Sequence, residues 1–240
     1  AAQSVKVEVY QVVYRVNLFD RVRLFPHEKL AKTYYVGSAT ADNMGTFMLM
    51  EGAEMPFVIH LLGFRGYVAP RYTTLEKEWR DHTVFKTKLY DIREVVMEIP
   101  GEPENSYRVL NEADRISLLS MTSGQTMPYD TLKMLNFLTA FTDIRFETIL
   151  DDIEDVKLDS IINSQPKNIL TLIDKDGSET SIKPFYKPNA SRTFDTEGNF
   201  YTYDVDRLYA LVNEERDFVL IQYYVFDKVL RPLSYFLPER

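Results

Sequence analysis

The stretch Tyr34–Gly52, "YYVGSATADNMGTFMLMEG", decides how the first third of the chain folds. Two readings compete for its centre, "VGSATADNMG". A phosphate-cradling loop needs a glycine-rich turn followed by Lys and Ser/Thr at the start of a helix. After Gly45 comes "TFMLM", which favours a strand, and no lysine follows. A dinucleotide fingerprint needs three closely spaced glycines, and only Gly37 and Gly45 stand here. Asp42 and Asn43 supply turn chemistry instead. The segment is therefore read as a hairpin, and phosphate cradling falls away with the loop.

Outward from this hairpin, "VKVEVYQVVYRV", "KTYYVG", "TFMLME" and "PFVIHL" are short β-branched and aromatic runs. The turn formers "SATADNMG" and "EGAEMP" lie between several of them. They predict an antiparallel meander, with "FDRVRLFPHEKL" as a longer excursion between two strands. "TTLEKEWRDH" predicts a short helix: Thr73 or Thr74 caps it, Glu76 and Glu78 favour its positive end, and Trp79, the sole tryptophan, anchors it to the core.

The remainder reads as two strand–helix units. The first runs through strands "EVVMEIP", "SYRVL" and "RISLLS", helix "YDTLKMLNFLTAF" and strand "IRFETI". The second runs through strand "ILTLID", turn "KDGS", strands "TSIKPFY" and "NFYTY", helix "DVDRLYALVN" and strand "FVLIQYYVF". The helix caps Asp130 and Asp204 stand about 74 positions apart, and the closing strands begin about 75 apart, at Ile144 and Val219. Leu132, Leu135, Leu138 and Phe141 mark the buried face of the first helix, and Val205, Leu208, Leu211 and Val212 that of the second. The expected fold is α+β, with antiparallel sheets and strand–helix units repeated at about 75 residues. It divides into residues 1–90, a β-meander with a short helix; 91–150, the first unit; and 151–240, the second.

Composition narrows the chemistry. With 240 residues, 45% of them hydrophobic, the chain is long enough to bury a core. A net charge of −8 and the lack of a Lys/Arg cluster interleaved with aromatics argue against a nucleic-acid partner. The absence of cysteine excludes disulfides, thiolate catalysis and cysteine zinc sites. No run of about 18 apolar residues is present to span a membrane. The opening "AAQSVKVEVY" enters a strand pattern at once, which is read as a fragment whose true N-terminus, with any export signal or anchor, has been removed.

No catalytic signature emerges. His27, His60 and His82 stand at no metal-binding spacing. Ser123 in "TSGQT" lacks the frame of a nucleophile elbow. "LDDIEDVKLDS" lacks the glycine of a calcium loop and reads as a solvated acidic helix face. "DKDGSE" reads as a tight hairpin turn. Trp79, Arg80 and Asp81 form a compact polar–aromatic group: as chemistry Arg80 offers a grip on a carboxylate or phosphate, and as structure, the favoured reading, Arg80 and Asp81 pin the helix end to the next strand. The tyrosine clusters Tyr34–Tyr35, Tyr201–Tyr203 and Tyr223–Tyr224 offer either sheet packing or a surface for sugars or protein partners. No cofactor is expected.

The segments "KTYYVGSATADNMGTFMLMEGAEMPFVIHLLGFRGYVAPRY" and "EWRDHTVF", with the strand-and-helix units after them, resemble the bacterial family called domain of unknown function 4340. The likeness covers nearly the whole chain, and its most telling parts are the "YYVG…D…GTFMLMEG…PFVIH" hairpin and the "WRD…VF" element. The resemblance implies an envelope protein with an N-terminal transmembrane helix followed by a repetitive extracytoplasmic region. It also implies an association with transporter components of the gliding type. It brings no catalytic residue with it. The expectation is a non-catalytic, periplasmic interaction or scaffold module, tethered to the inner membrane through a segment that precedes this sequence. Its partners would be envelope or transporter proteins, and Tyr34, Tyr35, Trp79, Arg80, Asp81, Tyr201 and Tyr203 are the candidate interaction or structural residues. The rival readings are a hydrolase of an envelope polymer, using Asp/Glu pairs and one histidine, and a glycan-binding module.

Overall fold

The computed structural model describes residues 4–18, 22–112, 115–190, 192–213 and 217–238. The chain divides into two compact units, Ala1–Trp79 and Arg80–Arg240.

The first unit is a four-stranded antiparallel sheet in the order β1-β2-β3-β4: β1 (Val5–Leu18), β2 (Val22–Ala39), β3 (Thr46–Met50) and β4 (Phe57–Ile59). The hairpin reading of Tyr34–Gly52 holds. Val36 pairs with Met48 and Ala39 with Thr46. Asn43 turns the chain at a φ of 56°, and the Asp42 carboxylate accepts from the Thr40 hydroxyl and the Met44 amide. Gly45 is required for closeness: a Cβ there would stand 2.6 Å from Val58 Cγ1. The expected excursion "FDRVRLFPHEKL" is corrected. From Val22 onward it is strand, and β1 and β2 form one long ribbon paired from Val5↔Val36 to Leu18↔Val22, with one register shift between Val9 and Tyr10. Phe19 and Asp20 lie outside the described residues. The expected helix over "TTLEKEWRDH" is a single 3-10 turn, Glu76–Trp79. Trp79 does not anchor a core either: it is 65% exposed, and its indole N–H donates to the Thr73 carbonyl at 2.8 Å.

The second unit is built on a nine-stranded antiparallel sheet. Its strands are β6 (Ile92–Glu98), β7 (Tyr107–Glu112), β8 (Arg115–Ser120), β9 (Thr126–Met127), β11 (Thr148–Ile149), β12 (Ile169–Asp174), β13 (Glu179–Pro188), β14 (Tyr203–Val212) and β15 (Asp217–Gln222). Their spatial order is β11-β15-β14-β13-β12-β6-β7-β8-β9. β5 (Thr83–Phe85) pairs separately with β10 (Ile144–Arg145). The described residues of this unit also form four α-helices: α1 (Thr131–Thr139), α2 (Asp155–Ile162), α3 (Tyr223–Phe226) and α4 (Leu233–Phe236). Segments 91–150 and 151–240 thus both contribute strands to one sheet.

The antiparallel α+β class is shown, but a repeat at about 75 residues is not. The helix expected in segment 91–150 forms as α1, with Asp130 Oδ1 accepting from the Leu132 and Lys133 amides at 2.8 and 3.0 Å. Its buried residues are Met134, Phe137 and Leu138, followed by Phe141, whereas Leu132 is 73% exposed. The second expected helix, from Asp204, is β14, an interior strand of the sheet. Leu208, Ala210 and Val212 enter the main core, while Tyr209 and Leu211 enter a smaller core on the opposite face with Phe185 and Phe218. A strand buried on both faces loses its polar alternation and imitates a helical stripe. "NFYTY" forms only an isolated bridge, Phe194↔Phe200, before β14 begins. "FVLIQYYVF" ends as strand at Gln222 and turns into α3.

The main core packs α1 and α4 on the sheet through a ring cluster. Phe137 meets Phe141 at 5.2 Å and Phe236 at 5.0 Å, and Tyr107 meets Phe236 at 5.1 Å, all edge-to-face. Full burial of such a side chain stabilises by about 1.5–3 kcal/mol. The smaller core is packed by Leu158, Ile161 and Ile162 of α2, whose exposed side carries Asp155 and Asp159; Asp151, Asp152 and Glu154 of the expected acidic helix face precede the helix.

Candidate functional site

The expected site residues do not converge. Tyr34 packs edge-on against Tyr72 at 6.1 Å, and a hydrogen bond with Tyr72, with partial burial, pushes its hydroxyl pKa up. Tyr35 sits opposite Leu49 in the hairpin. Arg80 pairs with Asp217 at 2.7 Å, and Asp81 accepts from the Thr83 amide and hydroxyl at the start of β5, so both act as fasteners. Tyr201 is fixed through its backbone to Asn189 and Thr193. The histidines are dispersed. His27 lies on the ribbon opposite Val13, His60 borders the Thr40–Gly45 turn, and His82 stacks on Phe146 at 4.6 Å. Among the described residues, no group of three His, Cys, Asp or Glu side chains is placed to hold a metal ion.

Two other features stand out. One is the ribbon of the first unit. Its cross-strand pairs Tyr10/Leu30, Val12/Glu28, Tyr14/Pro26, Val16/Leu24 and Leu18/Val22 share one face. Glu28 is the one charge among these ten residues, and Tyr10, Val12, Val16, Leu18, Val22, Leu24 and Leu30 are all exposed. The pairs Gln11/Lys29, Val13/His27 and Asn17/Arg23 point to the other face, which is largely polar. A half-buried sheet has this pattern, yet here the apolar side is uncovered.

The other is a cleft of about 790 Å³ in the second unit. Tyr186 on β13 and Tyr203 at the start of β14 meet there, with ring centroids 4.7 Å apart and planes 26° from parallel. Both remain open to solvent, at 43% and 48%. Between β13 and β14 at this end, Lys187 Nζ pairs with Asp204 Oδ2 at 2.6 Å. Burial alone would raise the Asp204 carboxyl, but hydrogen bonds from Lys187, Asp206 and Arg207 outweigh it and hold the pKa low. Lys167 enters from the loop before β12. Its Nζ lies 4.5 Å from the Tyr223 ring centre and 5.7 Å from that of Tyr186. Burial lowers the pKa of its ammonium group, against the opposing fields of Asp227 and Glu102. Tyr223 is pushed up to about 12, mainly by burial.

Tyr203 is the one expected site residue that lines this cleft. Lys167 and Tyr186 were not legible as site residues, because "QPKN" and "PFYK" carry no motif and the strand order alone brings them together. Tyr223 stood in a noted tyrosine pair, without a sign of which ring would face inward.

The chain matches no protein-family model, no curated protein and no solved structure. No helix among the described residues is long and apolar enough to cross a membrane.

Proposed function

We propose that this chain is a protein-interaction module whose docking element is the β1–β2 ribbon. The uncovered apolar face of that ribbon carries the reading. Contiguous exposed apolar surface rimmed by polar residues marks interaction sites. The face measures roughly 300 Å², from a strand rise of about 3.4 Å and a strand spacing of about 4.8 Å. A stable interface needs about 800 Å² per partner. The partner therefore covers more than this face, and the outer edge of β1, unpaired in the sheet order, offers it backbone hydrogen bonds. The placement of the module in a membrane-tethered envelope protein, beside a transporter or gliding-type assembly, rests on the sequence resemblance alone and directs where the partner is sought.

The test is cross-linked capture from solubilised envelope with the natural chain and with a V16K/L24E variant. The expected outcome is a recurrent partner that the variant loses. Repeated recovery of no partner, or equal recovery by both chains, overturns the proposal.

A further inference from the structure

The geometry points to the cleft of the second unit as a binding site for a short neutral saccharide, lying on the Tyr203 ring with the Lys167 ammonium donating to its hydroxyl oxygens. This inference is independent of the ribbon and survives its failure.

Three observations define the ligand. The first is the platform. Tyr186 and Tyr203 brace each other in a stack, yet each keeps nearly half its surface open. The C–H face of a pyranose is flat and apolar and suits a fixed aromatic face. The second is the donor. Among the described residues Lys167 Nζ makes no hydrogen bond or ion pair; it rests over two rings. Its acidic neighbours are engaged elsewhere: Asp227 pairs with Arg231 at 3.1 Å, and Glu102 accepts from Asn105 at 2.8 Å. A wholly apolar ligand would bury that ammonium without a partner, which is costly. The third is the balance of charge. Glu102, Asp227 and the Gln165 amide line the same cleft and supply acceptors, and the whole chain carries −8. An anion would be repelled there, whereas hydroxyl groups, which both donate and accept, match a mixed lining. The volume falls within the roughly 300–1,000 Å³ of small-ligand sites.

The experiment is calorimetric titration of the full chain with cellotetraose, chitotetraose and tetragalacturonate. At least one neutral tetrasaccharide is expected to bind with Kd of about 1 mM or tighter, and the acidic one more weakly. Tyr203→Ala should weaken binding ~10-fold and Lys167→Met ~5-fold, while Tyr203→Phe stays within about twofold because the ring face is kept. Circular dichroism and thermal melting of each variant separate lost binding from lost fold, and Lys167→Arg, which keeps the charge, should recover part of the affinity. Absence of binding by both neutral ligands overturns the inference. So does tighter binding of the acidic ligand, or unchanged affinity in folded Tyr203→Ala and Lys167→Met.

Discussion

At the level of single residues, two groups in the second unit are set by their surroundings in opposite ways. Tyr107 is fully buried among Phe137 and Phe236, and its hydroxyl has no hydrogen-bond partner among the described residues. Leaving a polar group so placed costs about 1–3 kcal/mol. Tyr107→Phe is therefore expected to match the natural chain or exceed it by about 1 kcal/mol in urea unfolding. Most core substitutions destabilise, so a loss would show that the hydroxyl is satisfied in solution. Glu147 is the opposite case. Arg207 binds its two carboxylate oxygens at 2.8 and 3.1 Å, and Gln222 donates at 2.9 Å. The Arg207 hydrogen bonds, helped by Gln222, lower its pKa below 4.5 against the effect of burial. A folded carboxyl with a depressed pKa stabilises above its unfolded value and loses that contribution as pH falls through the folded one. Because the pair is partly solvated, Glu147→Gln should cost only about 0.5–1 kcal/mol near neutral pH. The difference should vanish in acid well below 4.5, which paired denaturation curves at the two pH values would show.

At the level of elements, local chemistry that is independent of packing was legible. The Asp42–Asn43 turn, the hairpin at Gly177 (φ 88°) between β12 and β13, and the Asp130 cap all lie where the residue types placed them. Asp130→Ala should cost about 1 kcal/mol, with Asp130→Ser recovering most of it. What failed was any reading that needed to know what covers a face. β14 imitates a helix because two cores claim its alternate residues. Leu132 has the spacing of a buried residue but lies on the open side of α1, and Trp79, large and single, lies outside any core. The candidate cleft was illegible for the same reason: Lys167, Tyr186 and Tyr203 meet only once β12, β13 and β14 are side by side.

At the level of the whole molecule, burial is distributed unequally. Among the described residues of the first unit the buried apolar side chains are few, Val36 and Val68, beside the buried Thr33 and Thr46. Thr46 binds the chain locally by accepting from the Val68 and Ala69 amides at 2.9 and 3.2 Å. Every member of the two large clusters belongs to the second unit. Regions with few buried apolar contacts open at low free energy. Amides of β1–β4 are accordingly expected to exchange with solvent before those of β6–β15, in a first unfolding step resolved by hydrogen-exchange mass spectrometry; simultaneous exchange of both sets would contradict this. Midway along the ribbon, Phe25 takes a φ of 57° and is followed by Pro26, which sits opposite Tyr14. Proline offers no amide to a further strand, and a left-handed residue before it breaks the flatness that stacked fibrils require. The edge of β2 beyond its pairing with β3 thus carries its own guard against polymerisation, while the outer edge of β1 is left to a partner.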